Sequence, residues 1–375
     1  MDTNKIMKYL PDGFEKACWE TKAMQRKRGI TDEKTLLKLC LFYVYNHSLI
    51  EVQAFAKALG LAEISDVGFM KRFSGCTNWF KWIIQNLQPS EVISYEKPEI
   101  LNEYRVLCVD ASDINGKGAV KQYWHLHYAV NLFTLSCAQF KLTEGTTGET
   151  LKNFNFEKND IVIGDRAYAS LSGIEYCLEQ GADFILRMKN KSFSLYDSEY
   201  KKTALYEILK DVDENVSDIT VYWKGSDKKF HPLRICAVKK NIDAIKQTAK
   251  KLHRKESKGQ KKFSDETKRV HEYFFVVTSL GDNFTAQQIL ELYKLRWQIE
   301  LVFKRFKSIL NLGSMPTKKA DSSEAWLNCK MLIALLIEKM LSDVDFSPST
   351  SEESKYLERD EIDIFLDFDE YLCES

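Results

Sequence analysis

Asp110, Asp165 and Glu300 are acids whose settings could turn them to chemistry. Asp110 ends the apolar run VLCV, and Asp165 ends IVIG. Such runs predict strands, and ligand sites in α/β sheets form at strand ends. Two carboxylates delivered side by side repel each other, and they share a site comfortably only around a cation. An Asp in this position also commonly opens a turn, so each alone says little. The third acid lies in YKLRWQIELVFKRFK, residues 293–307. At 100° per residue, Tyr293, Arg296, Glu300, Lys304 and Lys307 fall in a narrow stripe. Leu295, Ile299, Val302, Phe306 and Leu310 form a broad apolar face away from it. A carboxylate set among bases suits a metal ion beside phosphates. The pairs Arg296–Glu300 and Glu300–Lys304 are equally ordinary i,i+4 ion pairs, worth ~0.2–0.5 kcal/mol each, and spacing alone leaves both readings open.

Several elements must position these acids. Residues 1–100 read as helical. The segment Thr31 to Tyr45 opens on a Thr cap, and SLIEVQAFAKALG and LAEISDVGFMKRFSG form two short helices parted near Gly60. They make a helix-turn-helix with Lys71 and Arg72 at its end, or an ordinary helical hairpin. Pro89 and Pro98 flank a linker. From Tyr104 the pattern turns to strands: RVLCVD, then a hairpin of YWHLHYAVNL and TLSCAQFKLT, then DIVIGD, a helix, and DFILRMK. This order predicts a mixed sheet in an α/β domain. Residues 191–280 add ITVYWKG, PLRICAVKK and YFFVVTSL around a lysine-rich helix, a β-rich insertion. One long helix is expected from Thr285 to about Leu312, and a further apolar helix from Ser323 to Leu341. The domain plan is therefore 1–100 helical, with DNA binding one reading of its helix pair, 101–190 the first part of an α/β core, 191–280 the insertion, 281–342 the remaining helices, and 343–375 an acidic tail.

Composition narrows the class. Of 375 residues 44% are apolar, enough for a sizeable core, and no run is long enough to cross a membrane. The N-terminus lacks the pattern of a secretory signal. Nine scattered cysteines, none in a C-x-x-C pair, suggest neither a disulfide framework nor a zinc site and fit a reducing cytoplasm. Net charge is zero, yet Lys239 to Arg269 holds twelve Lys/Arg against four Asp/Glu. Asp343 to Ser375 holds twelve Asp/Glu against two Lys/Arg. The basic block suggests a phosphate partner or a solvated face, and the tail is a solvated run or a cover for something basic. His125 and His127 alternate on one strand without a third metal ligand nearby, so half-buried strand histidines are expected. Tyr222 and Trp223 read as a core pair in preference to a base-stacking platform.

The helix spacing Tyr293, Arg296, Glu300, Lys307 resembles the signature of insertion-sequence-4-type DDE transposases. DRAY (165–168) is similar to the second-aspartate motif of that family, and VDASD (109–113) to the first. The resemblance runs from roughly Tyr104 to Leu341. It implies a ribonuclease H-like catalytic domain with a β-rich insertion, in which Asp110, Asp165 and Glu300 bind two divalent ions, Mg²⁺ or Mn²⁺. Asp113 competes with Asp110 for the first place, and the end of the apolar run favours Asp110. Tyr293, Arg296, Lys304 and Lys307 are implied DNA contacts. Arg166 is a DNA contact or a structural ion-pair partner. The implied partners are the double-stranded DNA of transposon ends and target, with a homodimer on DNA for which Ser323 to Leu341 is a candidate contact, and no membrane. The implied place is the bacterial cytoplasm, at the nucleoid. Competing readings are a non-catalytic DNA-binding derivative and a structure-specific nuclease on the same fold. Intact acids and bases argue against the first. The helical N-terminal region and the insertion argue against the second.

Overall fold

A computed structural model describes residues 6–342 except 46, 88–95, 117–122, 191, 260–261, 309, 313 and 317–318. The acidic tail, and with it the idea that it covers a basic surface, lies outside the described residues, as does most of the linker between Pro89 and Pro98. In chain order come helices α1 (Phe14–Glu20), α2 (Glu33–Val44), α3 (Leu49–Ala58), α4 (Asp66–Ser74) and α5 (Thr77–Asn86). Strands β1 (Arg105–Gly116), β2 (Tyr123–Asn131), β3 (Cys137–Glu144) and β4 (Asp160–Gly164) follow, then α6 (Leu171–Glu179) and β5 (Asp183–Leu186). Next are β6 (Leu195–Tyr196), β7 (Lys202–Thr203), α7 (Leu205–Leu209), β8 (Ser217–Lys224) and β9 (Phe230–Lys239). The chain continues with α8 (Ile242–Gly259), α9 (Asp265–Val270), β10 (Tyr273–Thr278), α10 (Ala286–Lys294), α11 (Trp297–Ser308), β11 (Ser314–Met315) and α12 (Ala320–Ser342). The α/β class and mixed sheet agree with the sequence. No helix among the described residues is long and apolar enough to cross a membrane.

Contacts divide the described chain into two compact units: 6–102, 106–149 and 297–342 in the first, 103–105 and 150–296 in the second. In the first, α12 packs against α2, α4 and α5. Its residues are apolar almost all round, and a helix of that kind is buried. Ala325, Leu327, Cys329 and Leu332 are fully enclosed. The segment expected as a candidate dimer contact is therefore the centre of this unit's own core. Phe69, Phe73, Trp79 and Phe80 complete the core, with the Trp79 indole donating to the Phe14 carbonyl at 2.8 Å. Helix α2 is capped by Asp32, whose carboxylate accepts from Thr35 N at 2.8 Å, so the cap is one residue beyond the expected Thr31. Helices α3 and α4 are the expected short pair. Gly60 turns the chain between them at φ +61°, a conformation costly for a side chain. Lys71 is exposed. Arg72 turns inward and donates to the carbonyls of Arg26, Arg28 and Ile30. The eight cysteines among the described residues are free thiols.

The same unit carries β1, β2 and β3 as an antiparallel meander, with β11 parallel to β1. In the second unit β4 and β5 run parallel, and β10 bonds antiparallel to both β5 and β9. The strands of the insertion thus extend the sheet that starts with β4. Arg234 of β9 forks onto Asp218 and donates to the carbonyls of Leu280, Gly281 and Phe284. It holds the loop that leads into α10, where Thr285 and Gln288 form a capping box.

The spacing predicts one helix from Thr285 to about Leu312, and two are found. The N–H groups of Leu295 and Arg296 bond back three residues, to Leu292 and Tyr293, which tightens the turn and ends α10. The boundary between units falls at Arg296 and Trp297. Ile289, Leu290 and Tyr293 are buried in one unit, and Ile299, Val302 and Phe306 in the other. Burial in two cores outweighs the tendency of this sequence to continue as one helix.

Candidate active site

In the first unit, Asp110 sits mid-strand rather than at a strand end. Strand β1 continues to Gly116 because β2 keeps pairing with it as far as Asn115↔Tyr123. Side chains alternate along a strand, so Asp110 and Asp113 project from opposite faces. Asp113 is exposed and pairs with His125 opposite it, Oδ1 to Nε2 at 2.6 Å. The Asp110 Oδ1 accepts from Ala111 N at 2.8 Å. On its own face, the buried Ser112 hydroxyl has no hydrogen-bond partner among the described residues. Directly opposite Asp110 stands Tyr128, and cross-strand partners share a face. The buried Tyr128 ring packs edge-on against Phe306 at 5.2 Å and Phe303 at 6.2 Å, both on α11. Glu300 precedes Phe303 by one turn on that helix. Helix α11, which carries Glu300, therefore packs on the sheet face from which Asp110 projects. The helix is anchored at its far end, where the buried Lys330 ammonium donates to the Leu310 carbonyl. Burial depresses that lysine to about 8.

In the second unit, Asp165 follows β4 immediately, at a strand end as expected. Its Oδ1 accepts from Ala167 N at 2.7 Å and so shapes the DRAY turn. The parallel register aligns Gly164 with Leu186, so the next residues, Asp165 and Arg187, leave neighbouring strands at the same end. Arg187 is buried, with its guanidinium over the Phe274 ring at 5.1 Å. Tyr293 meets the same ring, centroids 6.0 Å apart. The Tyr293 hydroxyl is buried, has no partner among the described residues, and is pushed up to about 12 by burial. Arg296, Arg187, Asp165 and Arg166 all act electrostatically on it. One carboxylate and three guanidiniums thus lie within electrostatic reach of this hydroxyl. Arg166 is half-buried and forms no ion pair among the described residues. Sequence reading missed Arg187. Its signal was present, since it ends an apolar strand as Asp165 does.

The five-residue stripe splits. Tyr293 and Arg296 are 3% and 4% exposed, whereas Lys304 and Lys307 face solvent. The histidines behave as strand residues. His127 is buried, its Nε2 2.9 Å from Thr143 Oγ1, and burial with the nearby His125 and Lys141 pushes its pKa down to about 4. Trp223 is buried and stacks on His231, while Tyr222 packs edge-on against Tyr200. Among the described residues no three His, Cys, Asp or Glu side chains converge as a ready-made metal group. The chemistry of the acids still fits a hard divalent ion, for Asp110, Asp165 and Glu300 offer only carboxylate oxygen.

Residues 101–337 match the family model described as the transposase DDE domain. The chain is 28% identical over 356 residues to the transposase for insertion sequence element IS421 of Escherichia coli, covering 92% of this chain and 95% of that one. The InsL protein of insertion sequence element IS186A from strain K12 of that species is 28% identical over 355 residues, with the same coverages. The transposase for IS231F of Bacillus thuringiensis subsp. israelensis is 23% identical over 374 residues, covering 88% and 78%. With a family match over residues 101–337, a span that includes Asp110, Asp165 and Glu300, the chain belongs to the DDE transposases, enzymes that act on DNA.

Proposed function

We propose that this transposase binds the terminal inverted repeats of an insertion sequence and moves the element by cut-and-paste transposition. Asp110, Asp165 and Glu300 would together hold two divalent ions, Mg²⁺ or Mn²⁺. Bound there, such ions activate the attacking oxygen and stabilise the leaving one in phosphodiester cleavage. The protein's own part is positioning. Tyr128 seats the Glu300 helix against the strand of Asp110. Arg296 and Arg166, beside Asp165, would hold phosphate oxygens in a fixed orientation, with Arg187 behind them. Tyr293 stays protonated at any ordinary pH and can donate to a phosphate once DNA is bound. Lys304 and Lys307 would grip the backbone from solvent. A water attack frees a 3′ end, and the same site then directs that 3′-hydroxyl onto target DNA. Two ends must be held together, so a homodimer on DNA is the expected assembly, at the nucleoid.

The observation that supports this most is the cluster in the second unit: a carboxylate suited to a cation, set among guanidiniums suited to phosphate. The test is cleavage of the element's own terminal repeats by purified protein with Mg²⁺ or Mn²⁺. Asp110→Ala, Asp165→Ala and Glu300→Ala should each abolish nicking while leaving the fold intact. Equal cleavage by any of the three removes that residue from the site, and equal cleavage by all three ends the proposal.

A further inference from the structure

Glu338 lies in the last turn of α12, which ends at Ser342. A carboxylate is out of place there, because a helix C-terminus carries partial negative charge and favours cations. Glu338 is also half-buried, and burial pushes its pKa up to about 7. Both effects work against the ionised side chain, so its contacts are what hold it in place.

Those contacts reach two strands of the same unit. One carboxylate oxygen accepts from the Tyr128 hydroxyl of β2 at 3.0 Å, and the other from Cys137 N of β3 at 3.1 Å. The contact on β3 falls at a β-bulge: Ala129 faces Gln139 and Val130 faces Cys137, so Ala138 has no residue opposite. A bulge disrupts the ladder locally and re-aims nearby side chains. The Cys137 thiol also lies within hydrogen-bonding reach of the Tyr128 hydroxyl. One carboxylate thus ties together the end of α12, the bulge and the tip of Tyr128.

Through Tyr128 this tie reaches the acids. Tyr128 stands opposite Asp110 on β1. Its buried ring meets Phe303 and Phe306 of α11, the helix that carries Glu300. A side chain packed along its ring and hydrogen-bonded at its tip is locked in one rotamer, and such residues hold their neighbours to a fixed geometry. Without Glu338, the buried hydroxyl and Cys137 N would both lose their carboxylate acceptor.

We propose that Glu338 is a positioning residue for DNA cleavage, holding Tyr128 in the orientation that seats α11, and with it Glu300, against the strand of Asp110. This rests on the reading of Asp110 and Glu300 as members of the catalytic site.

Single-turnover cleavage of pre-bound terminal-repeat DNA with Mg²⁺, set beside DNA affinity and a melting curve, tests this in the full chain. Glu338→Leu removes both acceptor oxygens. Cleavage should fall on the order of 100-fold, the effect of a small displacement at a catalytic group, while affinity stays as in wild type. Glu338→Gln should cleave as wild type does, because its amide oxygen can accept from Cys137 N and its amide nitrogen can donate to the Tyr128 oxygen. Tyr128→Phe should lose as much as Glu338→Leu, and the two together no more than either alone, since both cut the same link. If Glu338→Leu does not fold, Glu338→Asp takes its place, keeping the charge on a side chain too short to span both donors. A role confined to stability would lower the melting temperature and leave the rate of the folded protein unchanged.

Cleavage at the wild-type rate by the Leu or Asp variant overturns the inference, as does an equal loss in Glu338→Gln. Glu300→Ala separates this failure from failure of the site itself. An inactive Glu300→Ala beside a fully active Glu338→Leu removes Glu338 alone. An active Glu300→Ala removes Glu300 from the site and this inference with it.

Discussion

Tyr293 with Arg296, and Lys304 with Lys307, belong to one spacing pattern and occupy opposite environments. The first pair closes α10 and is buried in the second unit beside Asp165, Arg166 and Arg187. The second pair lies on α11 in the first unit and faces solvent. The chain passes from one unit to the other between them. A buried guanidinium is held in one orientation and works where geometry matters. An exposed lysine stays hydrated and works as a point charge. The difference teaches that a single spacing pattern can deliver two kinds of polar group, one held in place by burial and one exposed to solvent.

The largest expected effect that would test this contrast comes from Arg296→Met. Misplacing a group that orients the reacting phosphate costs about 100-fold in rate. Loss of a buried charge partner also lowers thermal stability by several degrees. Cleavage of pre-bound DNA and a melting curve measure both. Arg296→Lys should not restore activity, because an ammonium lacks the planar fork. If Arg296→Met cleaves normally and merely binds more weakly, the contrast fails.

Next in size is the double substitution Lys304→Ala/Lys307→Ala. Binding should weaken, and the slope of log affinity against log salt should fall by about 0.9 for each phosphate that is no longer neutralised. Cleavage at saturating DNA should stay close to wild type, and stability within ~0.5 kcal/mol. A salt titration of binding, set beside single-turnover cleavage, separates the two. An unchanged slope removes both lysines from the DNA surface.

The smallest effect on the free protein belongs to Tyr293→Phe. Its hydroxyl is buried without a partner among the described residues, so removing it should leave stability unchanged or raise it by ~1 kcal/mol. DNA-bound cleavage should still fall, since the hydroxyl gains its acceptor only from a phosphate. Because burial holds the hydroxyl near 12, the difference between wild type and variant should not change between pH 7 and 9. A variant that melts well below wild type would show that the hydroxyl already has a partner inside the protein.

Local signals made most elements legible. Apolar runs predicted β1, β4 and β5, two β-rich runs predicted the β2–β3 hairpin, and further β-rich segments predicted β8, β9 and β10. Asp165 could be placed at a strand end because Gly164 ends a run that is apolar on both faces. Asp110 could not. Its strand goes on through Ser112, Asp113 and Asn115, which are polar, and only pairing with β2 keeps them in the ladder. Helix α12 was legible as apolar, yet whether that surface met a second copy or its own unit depended on where α2, α4 and α5 lie.

By itself the sequence determined the family, the local settings of the three candidate acids, and the spacing of Glu300 from its neighbouring bases, since residue type and local periodicity are properties of the chain alone. Tertiary structure decided the rest. It broke the motif helix at Leu295, because residues on either side of the break are buried in different cores. It set Tyr128 between Asp110 and α11, and it brought Arg187 to Asp165, because parallel strands align ends that lie 22 residues apart in sequence.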